Sequence, residues 1–230
     1  MRAAVIVFPG SNCDADTHYV LNEVMAIRAE YVWHADATLD SYELIVLPGG
    51  FSYGDYLRTG AMAVQAPVMR ALKDAARRGV PVLGICNGFQ ILLEAGLLPG
   101  AMLWNASVRF QCEWVTLRVE SSATPITAAA RPGQLLRMPI AHGEGNYFVR
   151  PAELQQLREG DQIVFRYADA EGQATPAANP NGSIDNIAGI CNETRNVCAL
   201  MPHPERCAED VLGSADGRLI WESLLATVGV

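Results

Sequence analysis

The sequence predicts an α/β fold with a mostly parallel central sheet and a mixed or antiparallel extension. In the first half, short apolar runs alternate with helical segments at the spacing of strand–helix–strand units. In the second half, segments such as "EWVTLRV" (113–119) alternate with period two, as strands with one exposed face do. Because the 230 residues contain no internal repeat and no low-complexity linker, we predict one domain over 1–230.

The first half contains the predicted parallel strands. "AAVIVF" (3–8) is apolar throughout, as in a strand buried on both faces, and Pro9-Gly10 ends it. The next strands are predicted at "EYVWH" (30–34), "ELIVLPGG" (43–50) and "VPVLGI" (80–85). The helices are predicted from a cap at Asp14 or Asp16 to about Arg28, from about Met62 to Arg78 with a kink at Pro67, and from Asn87 to Ala95.

The second half supplies the predicted extension of the sheet. "QLLRMPIA" (134–141) and "QIVFRYA" (162–168) alternate in part, as 113–119 does. "IAGIC" (187–191) and "VCALM" (197–201) predict a hairpin around 192–196. A last amphipathic helix is predicted from about Gly217 to Val228.

Composition excludes several classes of function. The net charge is −8 and the chain has no block of Lys and Arg, so we expect no nucleic-acid partner. No apolar run approaches the roughly 18 residues of a membrane span, and the start is too short for a signal sequence, so we expect a cytoplasmic protein without a membrane partner. The six cysteines include no C-x-x-C pair, which predicts free thiols and no metal site.

One cysteine stands in a context that favours catalysis. Cys86 lies between a predicted buried strand and a predicted helix, in "GICNGFQ" (84–90). A sharp strand-to-helix turn holds its central residue exposed, and Gly84 and Gly88 permit the tight turn. The helix N-terminus favours a thiolate. A buried structural cysteine needs none of these features, so we predict that Cys86 is a nucleophile.

A nucleophilic cysteine usually needs a base, and His203 in "MPHPER" (201–206) is the best candidate among four histidines. It follows a predicted strand, so it lies at the same edge of the sheet as Cys86. Glu205 is two residues on, and in an extended segment its side chain can reach the imidazole. A carboxylate in this position orients the histidine and stabilises its protonated form.

A glycine pair supplies the third element of the predicted site. Gly49 and Gly50 follow the third strand, in "LPGGFSYGD" (47–55). Backbone N–H groups exposed there can form an oxyanion hole. A phosphate-binding P-loop is excluded, because no G-K-[ST] follows.

These motifs together resemble the class I, or triad-type, glutamine amidotransferases. The family pattern G-x-C-x-G-x-Q is matched by Gly84, Cys86, Gly88 and Gln90, and the histidine–glutamate pattern by "MPHPE". A narrower resemblance, to the separate glutaminase subunits of phosphoribosylformylglycinamidine synthase, rests on "FPGSNCD" (8–14), "GGFSYGDYLRTGA" (49–61), "PIAHGEG" (139–145) and "NPNGS" (179–183). Arg195 and Ala199 stand where this family has glycines, which predicts an altered turn around Asn196.

The resemblance implies a flavodoxin-like three-layer sandwich that hydrolyses glutamine through a cysteinyl thioester. It implies that Cys86 attacks, that His203 and Glu205 complete the triad, and that N–H groups of the Gly50–Phe51 segment and of Asn87 bind the oxyanion. Gln90 and Ser107 become candidate substrate contacts. The resemblance further implies that ammonia passes to a large synthetase subunit, bridged by a small subunit, in purine biosynthesis, and that the synthetase subunit, not this chain, uses ATP and Mg²⁺.

Other assignments remain open at this stage. A DJ-1-like stress protein also has a cysteine at such a turn, but it has a glutamate at the end of its first strand, where this chain has no acid until Asp14. A catalytically idle binding module with the same fold is a second alternative. His142 is expected to be structural or to face a partner. Asp55 and Arg58 are expected either to pair with each other or to face the synthetase, and Cys13 to shape the first loop.

Overall fold

The computed structural model describes residues 1–36 and 38–228, and eleven strands and five α-helices are defined within them. The helices are α1 (Asp14–Tyr19), α2 (Val68–Arg77), α3 (Asn87–Glu94), α4 (Pro151–Glu159) and α5 (Arg218–Val228). The first six strands are β1 (Arg2–Val7), β2 (Arg28–Trp33), β3 (Leu44–Leu47), β4 (Val82–Ile85), β5 (Ala101–Leu103) and β6 (Gln111–Val119). The others are β7 (Leu135–His142), β8 (Asn146–Phe148), β9 (Ile163–Ala168), β10 (Ile187–Cys191) and β11 (Val197–Leu200).

In the described part of the chain, the central sheet has nine strands in the order β2-β1-β3-β4-β11-β10-β9-β6-β7. The five strands from β2 to β11 run parallel, in the order of a flavodoxin-like sheet. Every pairing from β11 through β10, β9 and β6 to β7 is antiparallel. The predicted fold class is therefore confirmed, and the antiparallel extension is nearly as wide as the parallel part. A separate two-stranded ladder pairs β5 with β8.

The strands at the centre of the sheet form the core because they are apolar on both faces. Every residue of β3 and β4 is buried, as is every residue of β10 and β11. By contrast, β6 and β7 alternate between buried and more exposed residues along much of their length. No helix in the described ranges is both long and apolar enough to cross a membrane.

Two predicted helices have different bounds in the structure. The first does not continue to Arg28: α1 passes into a π-helical turn over Val20–Val24, and Ala26 adopts φ 52°, which ends the helix before β2 begins. Neither Asp14 nor Asp16 caps α1, because Cys13 occupies the cap position and makes no side-chain capping bond.

The second helix begins after the proline that was predicted to kink it. Ala66 is extended, with ψ 145°, and α2 starts beyond Pro67. Steric contact with a proline ring disfavours helical geometry in the residue before it. The sequence analysis also missed α4, β5 and β8; α4 carries a recognisable signal, a proline at its first position followed by Glu153, which accepts a hydrogen bond from the Arg150 N–H.

The predicted hairpin is formed by β10 and β11, with Cys191 opposite Cys198. Arg195 adopts φ 63° in its turn and donates its N–H to Asn192, so a side chain occupies a conformation that favours glycine. Ala199 lies within β11 and pairs with Gly84 of β4. The two departures from the family pattern thus leave the hairpin closed and the chain directed toward His203.

Candidate active site

Cys86 lies at the turn between β4 and α3, in a strained backbone conformation. Its φ is 50° and its ψ is −104°, which residues other than glycine rarely adopt. The turn packs closely against β3, since a Cβ at Gly88 would lie 2.0 Å from the carbonyl oxygen of Leu47. The thiol thus stands at the first turn of α3 with only 5% of the residue exposed. Strain held in place by close packing is typical of a functional residue.

His203 follows β11 and is held by the antiparallel half of the sheet. Its N–H donates to the carbonyl of Pro139 in β7, at 2.9 Å. Its Nδ1 lies 2.6 Å from Oε1 of Glu205, and both side chains are buried. Because Nδ1 faces the carboxylate, Nε2 is the ring atom that can exchange a proton with a thiol, and it has no hydrogen-bond partner among the described residues. The pair is arranged as a base and its orienting carboxylate.

The surroundings of His203 favour its protonated form. Burial by itself lowers the pKa of a histidine, but the charge of Glu205 and interactions with Cys86 and Cys13 outweigh burial and raise the pKa of His203 well above its usual value. An imidazolium in this position can hold the proton that a thiol gives up. Cys86 itself contacts the carbonyl of Ala141, with Sγ 3.8 Å from the oxygen.

A second thiol lies beside the same histidine. Sγ of Cys13 is 3.8 Å from Nδ1 of His203 and 3.1 Å from Nη2 of Arg206. The ligand atoms of Cys13, His203 and Glu205 lie within 4.8 Å of one another, close enough to share a metal ion. However, the His203–Glu205 hydrogen bond uses two of these atoms and a guanidinium adjoins the third, which favours a triad over a cation site. Burial raises the pKa of Cys13, which keeps it a thiol.

The glycine loop reaches the site, but one predicted oxyanion donor is already in use. The Phe51 N–H donates to the carbonyl of Gly10, at 2.9 Å, so it is not available to a substrate. The N–H of Gly50 makes no hydrogen bond within the described chain, and Asn87, as the first residue of α3, has no intrahelical acceptor. Gly49 serves differently: a Cβ there would lie 2.8 Å from Cε1 of His203, so its absence makes room for the ring.

The two predicted substrate contacts lie in different environments. Gln90 is buried, accepts a hydrogen bond from Asn87 Nδ2 at 2.9 Å and donates to the carbonyl of Glu144 at 2.7 Å, so it ties α3 to the loop after β7. Ser107 is exposed, and its Oγ accepts a hydrogen bond from Gln111 at 3.0 Å. Gln90 lines the cavity beside Cys86, whereas Ser107 does not.

Two adjoining cavities meet at Cys86. The first, of about 310 Å³, is lined by Gly50, Phe51, Gly54, Asp55, Thr59, Cys86, Gln90, Trp104, Phe110, Ala141, His142, Gly143 and Glu144. The second, of about 240 Å³, leads to the triad and is lined by Asn12, Cys13, Gly50, Phe51, Cys86, Phe110, Ala141, His203 and Arg206. Because Cys86 lines both cavities, a small ligand in the first would contact Cys86, while His203 lines the second.

His142 closes the first cavity as a neutral base. Its Nδ1 lies 3.0 Å from Oδ1 of Asn105, an oxygen that also accepts the Gly145 N–H. Nδ1 therefore carries the proton, and Nε2 is a buried acceptor without a partner. Burial, and secondarily the charge of His203, lowers the pKa of His142 to about 4.

The structure separates Asp55 from Arg58, which were expected to pair or to face a partner together. Arg58 is exposed and forms an ion pair with Glu94, with Nε 2.7 Å from Oε1. Asp55 turns into the cavity beside Cys86 instead. The cavity positions of Asp55 and Glu144, and the contacts of Cys13 and Arg206 with the triad, were not predicted from the sequence. The "GSNCD" and "AHGEG" stretches were the available signals, but they do not show which side chains point inward.

Comparison with known proteins places this arrangement in context. A family model of CobB/CobQ-like glutamine amidotransferase domains matches residues 1–221. The phosphoribosylformylglycinamidine synthase subunit PurQ of Moorella thermoacetica is 58% identical over 225 residues, which cover 98% of this chain and 95% of that protein. The subunit of the same name from Aquifex aeolicus is 52% identical over 226 residues, covering 98% of this chain and 100% of that protein.

Solved structures agree with this relationship. A chain in the structure of PurLQS from Thermotoga maritima superposes with a TM-score of 0.88 at 46% identity, with 99% of both chains covered. The glutaminase domain of Trypanosoma brucei CTPS with bound acivicin superposes with a TM-score of 0.57 at 12% identity, covering 97% of this chain and 93% of that one. The second likeness is one of fold alone.

Proposed function

The chain belongs to the family of CobB/CobQ-like glutamine amidotransferase domains, and on that premise we propose that Cys86, His203 and Glu205 hydrolyse glutamine. One observation supports this site above all others. A buried imidazole is bonded through Nδ1 to Glu205, leaves Nε2 without a partner and shares a cavity with the strained Cys86. This is the arrangement that a thiol nucleophile requires.

The chain is a glutaminase subunit of phosphoribosylformylglycinamidine synthase. Glutamine is its substrate, and its partners are a large synthetase subunit and a small subunit of the same enzyme. The ammonia that it releases serves the ATP-dependent conversion of formylglycinamide ribonucleotide to formylglycinamidine ribonucleotide in purine biosynthesis. Membership in this enzyme replaces both alternatives, the DJ-1-like protein and the idle binding module. Between β1 and α1, Cys13 rather than a glutamate contacts His203.

The proposed reaction has two halves, formation of a thioester and its hydrolysis, and the same side chains act in both. The thiol proton of Cys86 is held by His203 Nε2, and the sulfur attacks the side-chain amide carbon of glutamine. The oxyanion forms against the free N–H groups of Gly50 and Asn87, and His203 returns the proton to the departing ammonia. Water, deprotonated by His203, then hydrolyses the thioester to glutamate and restores the thiol. Glu205 holds the imidazole in the required tautomer throughout.

We assign no cofactor to this chain. The glycine loop after β3 lacks the G-K-[ST] of a phosphate-binding loop, which supports the view that ATP and Mg²⁺ are bound by the synthetase subunit. We also place the subunit in the cytoplasm, because the reaction needs Cys86 as a free thiol and reducing compartments preserve thiols.

Covalent labelling of the assembled synthase tests the proposed nucleophile. The glutamine-mimicking diazoketone 6-diazo-5-oxo-L-norleucine should add once, at Cys86, and glutamine should block the addition, as read by intact mass. Cys86→Ala should abolish labelling and lower glutamine hydrolysis by roughly 10⁶-fold. The matched control is Cys112→Ala, since Cys112 is an exposed thiol on β6. Hydrolysis by Cys86→Ala within about tenfold of wild type would overturn the assignment.

A further inference from the structure

The cavity beside Cys86 is lined by acidic side chains, and no basic side chain of the described residues lines it. Asp55 and Glu144 both line it, while no lysine or arginine appears among its lining residues in the described chain. Arg58, three residues after Asp55, forms its ion pair with Glu94 instead. Two half-buried carboxylates that line one cavity without a counter-ion favour a ligand group that brings positive charge.

The lack of a counter-ion affects Asp55 more than Glu144. Its Oδ1 is buried and has no hydrogen-bond partner. Burial, and then the charge of Glu144, raises the pKa of Asp55 to about 6. Glu144 is better satisfied, because its Oε2 accepts a hydrogen bond from the hydroxyl of Thr59 at 3.0 Å.

His142 also lines this cavity and, among the described residues, is a second group with an acceptor that lacks a donor. His142 is 3% exposed, and its Nε2 is a lone-pair acceptor without a partner. Its ring cannot withdraw from the wall easily, since Gly145 packs against it so closely that a Cβ there would lie 2.2 Å from Cε1. The cavity therefore offers acceptors, two of them carboxylates, and calls for a ligand group that is positively charged and rich in N–H donors.

We propose that Asp55, assisted by Glu144, binds the α-ammonium group of glutamine and so selects α-amino acid amides over amides that lack the amino group. The proposal rests on the proposed function, because glutamine must lie in this cavity with its side-chain amide at Cys86. An ammonium group carries one positive charge and three N–H donors, which match the unpaired acceptors of this wall. Asp55 is thus a specificity-determining residue.

A second cation has the same chemistry: the ammonium ion that forms when the released ammonia is protonated. A carboxylate that binds product would act after the amide bond is broken, whichever amide is used. One that binds the substrate's amino group would act only on substrates that have that group. Comparison of glutamine with glutaramate, which is glutamine without its α-amino group, therefore separates the two sources.

The experiment measures kcat/KM for both amides with the assembled synthase. Asp55→Asn removes the charge but keeps the size, and asparagine tolerates the φ of 53° at this position as aspartate does. The control is Asp40→Asn, because Asp40 is an exposed aspartate paired with Arg78, away from the cavity. Glu144→Gln, which can still accept the Thr59 hydrogen bond, tests the assisting group.

Wild type should prefer glutamine over glutaramate by roughly 100-fold or more, since an unmatched buried charge rejects the smaller amide. Asp55→Asn should lower kcat/KM for glutamine by roughly 10- to 100-fold and leave that for glutaramate within about threefold, so that discrimination collapses. Glu144→Gln should have the same effect at smaller size, and Asp40→Asn none. Equal losses on both amides, or no loss on either, would overturn the proposal.

Failure of this proposal is distinguishable from failure of the proposed function. If Cys86 is not the nucleophile, Cys86→Ala retains hydrolysis of both amides, whatever Asp55 does. If Cys86 is the nucleophile and Asp55→Asn leaves discrimination intact, then only the assignment of the ammonium site is wrong.

Discussion

His203 and His142 each follow or end a strand, each lies buried near Cys86, and each bonds through Nδ1 to a side-chain oxygen. The oxygen differs: it belongs to the carboxylate of Glu205 in one case and to the amide of Asn105 in the other. The pKa of His203 is raised well above the usual value, whereas burial lowers the pKa of His142 to about 4. The groups around each ring, above all a carboxylate beside His203 and an amide beside His142, therefore decide whether a buried imidazole can hold a proton.

The comparison explains how one cavity system holds two histidines without two competing bases. A carboxylate stabilises the imidazolium that forms when a thiol is deprotonated, and an amide does not. His203 is thus suited to proton transfer. His142 stays neutral and offers only an acceptor to the cavity. The same residue type performs different chemistry because the neighbouring side chain differs.

Matched substitutions of the two histidines should show the largest contrast. We expect His203→Gln to lower kcat for glutamine hydrolysis by roughly 10⁴- to 10⁶-fold, because the base is lost, and His142→Gln to lower it by about tenfold at most. Steady-state kinetics of the assembled synthase measure both, with circular dichroism to confirm folding. Similar losses of kcat at the two positions would show that the two histidines do not differ in their ability to transfer a proton.

Removal of the carboxylate should make His203 resemble His142. Glu205→Gln is expected to lower kcat by roughly 10²- to 10⁴-fold, less than His203→Gln, since the third member of a triad orients and stabilises the second. It should also lower the pKa of His203, which NMR titration of the ring can follow. An unchanged pKa would mean that Glu205 does not set the protonation of this histidine.

The smallest effect concerns stability, and its sign follows from the depressed pKa of His142. The unfolded chain binds a proton at His142 below pH 6.5, while the folded chain does so only near pH 4. The stability contributed by this group is therefore full above pH 6.5 and is lost as the pH falls toward 4, by about 3 kcal/mol. His142→Gln should remove this part of the pH dependence in urea unfolding between pH 4 and 7, whereas identical slopes for the two proteins would contradict it.

Much of the sheet could be predicted from the sequence, because the pattern of apolar residues that marks a strand lies within the strand itself. Unbroken apolar runs identified β1, β3 and β4, and alternation with period two identified β6. The errors occur where the tertiary structure overrides local preference. The first helix ends early because Ala26 takes a left-handed conformation, and the signal of α4 lies in two capping residues rather than in its periodicity.

The chain of amino acids by itself determined the turn at Cys86 and the pairing of His203 with Glu205, because both depend on residues next to each other in sequence. Only the tertiary structure decided which amide N–H groups remain free, since the Phe51 N–H is taken by Gly10, and which acids face the cavity, since Arg58 pairs with Glu94 and leaves Asp55 unpaired. The physical reason is that hydrogen bonds and ion pairs are exclusive: whether a group is available depends on every competitor that folding brings near it.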